Sequence, residues 1–493
     1  MRVTNKMMTN NTLNNINRNK SIMSKLEGQY STQKKIQRPS DDPIVAVRAL
    51  KLRQNLNELN QYYERNIPDA LSWMDTTEGA LNNINEIYTK LYEQFNYGTS
   101  DSLTGEDRNS ILENIIEMKR QIYQEGNTDY AGRYVLTGHK TDTSLVFDKN
   151  TTEYQYSITQ SFKGSEIGIG HTVMNTTKLS QYVPGVSTAA TFATTPTTEQ
   201  YYRIRLAYDN LTEPASGQIN VNVTDAANTM TSHTATSYQS SDTNAYVDDG
   251  SIHYIADTGE LIIPQSLYNS MANAIDVSIT YEKSSFEKNE LRPEHYFTCT
   301  KKNVATGKTN DYLALSQEIE YEINYGQKIV VNTQGKDALT HDLAREVEEL
   351  AQAVNSIQSL ETNMGEVKKK LSNINLSTTD KEALEALYKQ MEMEHTLKSR
   401  ILSDKFGAAM TLTSSCQDTM NVALADLGSR YNRVELVENR LSIQRTEFEE
   451  LLSKNEDADL LETYTRYTSQ QVAYNASLEA ASKLVKNTLL DYI

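Results

Sequence analysis

The sequence predicts an elongated α+β multidomain protein that is mainly α at both ends, with long antiparallel coiled-coil helices from the N- and C-terminal segments and an inserted antiparallel β domain in the middle. Near both ends, apolar residues recur every three or four positions, the spacing of a coiled-coil seam. Between about 150 and 335, apolar and β-branched residues alternate and are separated by turn residues. The 8 prolines and 20 glycines are few for 493 residues, which favours long regular elements.

The stretch from 38 to 63 predicts the first strong helix. Asp42 can cap its orphan N–H groups, Asp41 adds negative charge near its positive end, and Ser40 and Pro43 complete the start signal. We expect its seam to pair within the chain with a similar seam near the C-terminus. The predicted intrachain seam comprises Val45, Leu52, Leu56, Leu59, Leu427, Tyr431, Val434, Leu441 and Phe448.

The pattern divides the chain into three parts. Segments 1–40 and 456–493 have sparse apolar stripes and are expected to be terminal helical arms, disordered in the monomer and helical in an assembly; permanent disorder is the alternative. Segments 41–150 and 336–455 are expected to form an α-helical rod domain. The arms are expected to pack between subunits through Val3, Met7, Ile16, Met23, Leu26, Tyr464, Tyr467, Tyr474, Leu478 and Val485.

Local signals refine the rod. Pro68 predicts a kink or break, since it removes a hydrogen bond and disfavours helix at the residue before it. Thr104 to Asp107 reads as a capping box for the next helix. A period change then predicts a short β-hairpin near 132–147. Segment 151–335 is expected to be an inserted β-rich surface domain whose tyrosines pack in strands or form a carbohydrate platform.

Composition excludes several classes of function. Residues 1–53 carry 11 Lys or Arg and 3 acids within a chain of net charge -17, but no nucleic-acid motif accompanies this basic arm, so we expect no nucleic acid partner. Neither the two cysteines nor the seven histidines have metal-site spacing, and no nucleophile elbow occurs. We therefore expect no enzyme, metal or cofactor. Without an apolar leader or a 20-residue apolar run, we also expect no cleaved signal peptide and no membrane partner.

Several blocks resemble a known family. They are MRVTNKMM, STQKKIQRPSDDPIVAVRAL, GRYVLTGHKT, ALADLGSRYNRVE and DADLLETYTRYTSQQVAYNASLEAASKLV. Together they resemble the bacterial flagellar hook-associated protein 3 family, the hook–filament junction proteins of the flagellin superfamily, over roughly 1–147 and 420–493. In this chain Gln33 stands where the family commonly has Gly, and the middle is longer than in typical members.

The resemblance implies a structural component of the bacterial flagellum, a junction adaptor between hook and flagellin filament that acts by polymerisation of its coiled-coil ends. It implies a homo-oligomer in contact with hook-associated protein 1 and flagellin, and a cytoplasmic flagellar export chaperone at the C-terminal arm. The implied location is the hook–filament junction after type III flagellar export. The alternatives are a divergent flagellin, or a filament-borne adhesin or hydrolase acting through the 151–335 insert.

Overall fold

The computed structural model describes residues 5–100, 103–242, 244–373 and 376–485, with the backbone alone for Asn5, Leu484 and Val485. The chain divides into two compact units. The first comprises 1–70, 321–329 and 432–493, and the second comprises 71–320 and 330–431. The first unit therefore draws on both ends of the chain.

Within the described residues the helices lie mainly on either side of a strand-rich middle. They are α1 Asn5–Thr32, α2 Pro43–Gln61, α3 Ile67–Gly98, α4 Gly105–Glu125, α5 Gln265–Ala272, α6 Gly335–Ala338, α7 Asp342–Leu371, α8 Thr378–Glu456 and α9 Leu460–Val485. A π-helical turn, Tyr62–Asn66, connects α2 to α3. The predicted arms 1–40 and 456–493 thus contain α1 and α9.

The strands follow α4 and end before α6. They are β1 Asp129–Tyr130, β2 Arg133–Tyr134, β3 Tyr154–Phe162, β4 Gly168–Met174, β5 Thr197–Arg205, β6 Gln218–Thr224, β7 Met230–Tyr238, β8 Ile252–Ile255, β9 Glu260–Ile263, β10 Asp276–Lys283, β11 Thr298–Asn303, β12 Thr309–Tyr312, β13 Glu320–Asn324 and β14 Gln327–Val330. β3 to β12 form one ten-stranded sheet in the order β12-β11-β3-β10-β6-β7-β8-β9-β5-β4, while β1-β2 and β13-β14 form two-stranded sheets.

This architecture confirms the predicted fold class of helical ends with an inserted β domain. Antiparallel pairing was expected throughout the insert, but β7 and β8 pair in parallel, with Ala235 opposite Ile252. The connecting segment 239–251 is long enough to return the chain to the same end of the sheet. The sheet is therefore mixed.

The sequence predicts a kink or break at Pro68, and the helical path continues through this residue instead of breaking. The π-helical turn ends two residues before Pro68, and α3 continues to Gly98. Prolines and π turns are both ordinary sites of a helix kink, so the kink stays a prediction.

The predicted hairpin near 132–147 lies earlier and is shorter. β1 pairs with β2 across Ala131 and Gly132, whose φ angles are 52° and 77°. Two successive positive φ angles suit a tight turn whose twist matches that of the strands. After Tyr134 the chain is irregular apart from an isolated antiparallel bridge between Val146 and Leu291. The apolar residues Val135, Leu136, Leu145, Val146 and Phe147 are all buried.

Helices of the second unit have their own apolar core. In α3 the residues Met74, Leu81 and Tyr88 are buried, and the ring centroid of Phe95 lies 6.4 Å from that of Phe406 in α8. The α7–α8 hairpin buries Leu360, Val367, Leu384, Leu387 and Met391, with Phe192 from the insert packed among them. The insert and the helices of this unit therefore share buried surface.

A network of charges also joins the sheet to the helices in this unit. Arg203 and Arg205 of β5 contact Glu349 of α7 at 2.8 and 3.1 Å, and Lys405 of α8 pairs with the same carboxylate. Burial of the Glu349 carboxyl would raise its pKa, but Arg203 and Lys405 outweigh this effect and hold the pKa well below its usual range. Glu349 is therefore charged within the fold.

Candidate assembly surface

The helix start at α2 is built from two adjacent carboxylates with separate roles. Asp42 is the N-cap, and its Oδ1 accepts hydrogen bonds from the N–H groups of Ile44 and Val45 at 3.1 and 3.2 Å. Asp41 accepts from the N–H groups of the preceding turn, at Arg38 and Gln37, and these hydrogen bonds lower its pKa. Ser40 lies exposed in that turn, and Pro43 is the first residue of α2.

The residues of the predicted intrachain seam fall into both compact units. In the first unit Leu59, Val434 and Leu441 are buried, while Val45, Leu52, Leu56 and Phe448 are half-buried. Leu427 is buried and Tyr431 half-buried, but both belong to the second unit.

α2 and the last part of α8 run antiparallel within the first unit. Asn455 donates a hydrogen bond to the carbonyl of Val45 at 3.1 Å, and Arg445 pairs with Glu64 at 3.1 Å, so the residue numbers run in opposite directions. Ala46, which sequence reasoning missed, and Ala49 are small residues of α2 that are more deeply buried than Val45. Small side chains let two helices approach closely.

α1 and α9 form an antiparallel pair in the same unit. Asn19 donates a hydrogen bond to Ser477 at 2.8 Å, and the ring centroids of Tyr30 and Tyr464 lie 5.7 Å apart. Of the predicted assembly residues, those that are half-buried in this pair are Ile16, Met23, Leu26, Tyr467 and Tyr474. Met7, Tyr464 and Leu478 are exposed. Val3 lies outside the described residues, and Val485 is described by its backbone alone.

The paired helices α1 and α9 lack a core of their own. Among their described side chains only Thr463 is buried, and no apolar one is. Leu13, Leu461 and Val472 are 51%, 78% and 69% exposed. Sequence reasoning did not select these three residues, because they lie off the stripe with a 3.5-residue period. The feature that could have identified them is their apolar character on an otherwise polar helix face. These three side chains are therefore apolar surface that the described residues leave exposed.

A contact that we term the clasp connects the turn after α1 to the turn before α9. Lys34 and Asp457 form an isolated antiparallel bridge, flanked by hydrogen bonds from the N–H of Lys35 to the carbonyl of Glu456 at 2.7 Å and from the N–H of Ala458 to the carbonyl of Gln33 at 2.9 Å. The hydrogen bond from Lys34 lowers the pKa of Asp457. The clasp thus fixes the bases of both terminal helices.

Ion pairs to Glu456 stabilise the clasp, and one of them comes from α2. The buried carboxylate of Glu456 lies 2.6 Å from an Arg53 nitrogen and 3.4 Å from Lys34 Nζ. Both cations keep access to solvent, so they neutralise the carboxylate without themselves being fully desolvated. This arrangement ties the last residue of α8 to α2.

Gln33 adopts a left-handed backbone conformation, with φ of 59°. That conformation favours Gly because a Cβ atom crowds the following carbonyl oxygen. The resemblance noted in the sequence implies Gly at this position, and the left-handed turn has the geometry that Gly suits. The Gln33 side chain is exposed, so the constraint acts through the backbone.

Other kinds of site find no support in the described part of the chain. Its His, Cys, Asp and Glu residues form no group that could hold a metal ion. None of its helices is both long and apolar enough to cross a bilayer.

Comparisons identify known proteins that are similar to parts of this chain. Residues 3–141 match the model of the bacterial flagellin N-terminal helical region. Flagellar hook-associated protein 3 of Salmonella typhimurium is 30% identical over 178 residues, which cover 35% of this chain and 55% of that protein. A flagellin of Clostridium tyrobutyricum is 30% identical over 141 residues, covering 28% of this chain and 37% of that flagellin.

This chain spans about half the length of the hook-associated relatives it matches. A solved structure of flagellar hook-associated protein 3 from Legionella pneumophila superimposes with a TM-score of 0.31 at 13% identity, covering 82% of this chain and 97% of that one. The sequence matches therefore show that the N-terminal part of this chain is similar to the bacterial flagellin N-terminal helical region and to flagellar hook-associated protein 3.

Proposed function

We propose that this chain is a structural subunit of the bacterial flagellum that joins the hook to the flagellin filament. The observation that carries the proposal is the α1–α9 pair, which has no buried apolar side chain among its described residues and exposes Leu13, Leu461 and Val472. A helix pair without a core gains stability mainly from neighbours. Copies of the same pair in adjacent subunits are the natural neighbours.

The energetics support assembly through these helices. Complete burial of one apolar side chain stabilises by about 1.5–3 kcal/mol, so a half-exposed side chain offers about 1 kcal/mol on contact with a neighbour. Association costs about 4–15 kcal/mol in lost freedom of motion, so several such residues must act together. In this mechanism α1 and α9 fray in the monomer and become ordered on polymerisation, which couples folding to assembly.

The clasp holds the two arms together. Because it fixes Gln33–Lys35 against Glu456–Ala458, α1 ends and α9 begins at the same place, beside the paired α2 and α8. A polymer built on these arms therefore receives both arms of each subunit together.

The proposed partners follow from the junction role. Copies of this chain form a homo-oligomer with hook-associated protein 1 on one side and flagellin on the other. Before assembly, a flagellar export chaperone covers the exposed apolar residues of α9 at the C-terminal arm, and the chain leaves the cell by flagellar export. The proposed activity is mechanical.

Deletion of the gene tests the role. Cells without it should make hooks that lack filaments, and flagellin should accumulate in the medium. Normal filaments on the deletion strain would contradict the proposal. Electron microscopy of the hooks and immunoblots of the medium provide the two measurements.

Complementation tests the surface itself. Val472→Asp places a charge on the exposed apolar side of α9 and should be exported but fail to restore filaments. Gln471→Asp adds the same charge at the neighbouring exposed position and should restore them. Equal circular dichroism of the two purified monomers would show that neither change unfolds the chain. Filaments at wild-type number with Val472→Asp would refute this use of α9.

A divergent flagellin is the second candidate, because flagellins are also among the similar proteins. The two roles differ in copy number. A flagellin would be the main protein of filaments sheared from the cells, whereas a junction protein would be a minor component at their base. Quantitative mass spectrometry of sheared filaments distinguishes them.

A further inference from the structure

A lysine amine lies buried between two carboxylates in the β insert. The side chain of Lys283, at the end of β10, is 2% exposed. Its Nζ lies 3.1 Å from Glu290 Oε1 and 3.4 Å from Asp209 Oδ1, and it donates a hydrogen bond to the carbonyl oxygen of Asp209 at 2.5 Å. The rings of Tyr208 and Phe286 lie 5.6 and 5.5 Å from it. The amine is thus enclosed by aromatic and acidic groups.

The two carboxylates beside this amine can accept its proton. A lysine amine that has given up a proton is a nucleophile, and Lys283 Nζ has both carboxylates within 3.4 Å. Lys283 Nζ lies 3.4 Å from Asp209 Oδ1, and the carbon that would be attacked, Cγ, is bonded directly to that oxygen. The carboxyl carbon of Asp209 is therefore close to a potential nucleophile.

Glu290 is suited to move the proton that such a reaction requires. Burial raises its pKa to about 7, even though Lys283 acts in the opposite sense. A carboxyl that titrates near neutral pH can both donate and accept a proton there. Its Oε2 accepts a hydrogen bond from the N–H of Glu287 at 2.8 Å, which fixes its orientation toward Lys283.

The backbone holds Asp209 in place. The hydroxyl of Tyr208 donates a hydrogen bond to the carbonyl of Leu291 at 2.9 Å, and the N–H of Asn210 donates to the carbonyl of Asp257 at 3.0 Å. Gly259 packs so closely that a Cβ there would lie 1.9 Å from the Tyr208 carbonyl oxygen. Asp209 is therefore preorganised, which lowers the entropic cost of reaction.

We propose that Lys283 and Asp209 react with each other, with the help of Glu290, to form an intramolecular amide cross-link. An ammonium and a carboxylate are converted into an amide and one water molecule. The ammonium proton passes to the Asp209 carboxylate, and the lone pair of Lys283 Nζ attacks Cγ. Glu290 then transfers a proton from the nitrogen to the departing hydroxyl, the C–O bond breaks and water leaves. No oxidant, reductant or co-reactant is consumed.

The surroundings suit this step. Asp209 and Glu290 line a cavity of about 830 Å³, which provides space for the released water. The bond would connect the end of β10 to the segment after β5 across 74 positions of the chain. It would restrict the unfolded insert as a disulfide does, without requiring an oxidising environment. The inference does not depend on the flagellar role.

Intact mass spectrometry of the denatured full-length chain tests the proposal. After incubation at neutral pH, the wild-type chain should be one water molecule lighter than its sequence requires, and Asp209→Ala and Glu290→Gln should keep their full calculated masses. Peptide mapping should find Lys283 joined to Asp209. The exposed pair Lys149 and Glu153, also separated by 3.4 Å, provides an internal control that should remain unlinked.

A wild-type chain of full calculated mass would overturn the proposal, since burial of the three groups would then serve only an ion-pair cluster. A loss of water that persists in Asp209→Ala, or that maps to Glu290, would also overturn it. Circular dichroism of Glu290→Gln should match the wild type, so that the missing bond reflects lost proton transfer and not lost folding. If the variant is unfolded, the mass and map of the wild type decide the matter alone.

Discussion

Replacement of Gln33 by Gly tests the left-handed turn at the base of the clasp. A residue with a Cβ pays about 1–2 kcal/mol in this conformation. Gly removes that cost, but its greater conformational freedom stabilises the unfolded chain by about 0.4–1 kcal/mol. With φ of 59° at Gln33, the net effect should be a clasp more stable by about 0.5–1 kcal/mol.

Hydrogen exchange is the appropriate assay, because a chain of two compact units need not unfold in one step. The N–H of Ala458 donates to the carbonyl of Gln33, and the N–H of Lys35 donates to that of Glu456, so both amides report opening of the clasp. In Gln33→Gly their exchange should slow roughly two- to fivefold.

Matched variants separate backbone strain from side-chain loss. Gln33→Ala keeps the Cβ and removes an exposed side chain, so it should leave both exchange rates close to wild type. Gln33→Val adds β-branching at a positive φ and should accelerate exchange. Faster exchange in the Gly variant, or equal rates in the Ala and Gly variants, would refute the strain argument.

Two further predictions concern local chemistry. Asp42→Ala removes the N-cap of α2 and should destabilise that helix by about 1 kcal/mol, measured as faster hydrogen exchange of the Ile44 and Val45 amides; unchanged rates would show that the cap is dispensable. Glu349→Gln should destabilise the second unit by an amount near the lower end of about 3–5 kcal/mol, since Arg203 keeps a second carboxylate, Glu260. The folded-state pKa of Glu349 lies below its ordinary value of 4.5, so the difference in free energy of unfolding between wild type and variant should be full above that pH and decrease as pH falls through the lowered pKa. A difference that stays constant from about pH 7 to 2 in urea titrations would contradict this sign.

Local patterns could be predicted from the sequence because their causes lie within a few residues. The Thr104 to Asp107 capping box forms as its spacing indicates, with both reciprocal hydrogen bonds present. The buried stripe of α7, including Leu343, Val347 and Leu350, follows from its 3.5-residue period. The fold class likewise follows from where the period changes.

Features that depend on distant residues could not be predicted in this way. The clasp brings Lys34 beside Glu456, 422 positions away, and nothing in the local pattern around either residue indicates the other as its partner. The cluster of Lys283, Asp209 and Glu290 consists of common polar residues that become unusual only through burial. The π-helical turn before Pro68 could not be predicted, because local propensity does not determine how a helix continues past a proline.

The order of strands in the large sheet has a kinetic consequence. β3, the first strand of that sheet in the chain, lies between β10 and β11, with Thr159 opposite both Thr280 and Thr298. A nascent chain therefore cannot complete the neighbours of β3 until well over a hundred further residues have been synthesised. Such pairing across long sequence separations is slow, because loop closure must precede the contacts that stabilise it. The strand order thus delays folding of the insert and lengthens the time for which a newly synthesised chain stays unfolded.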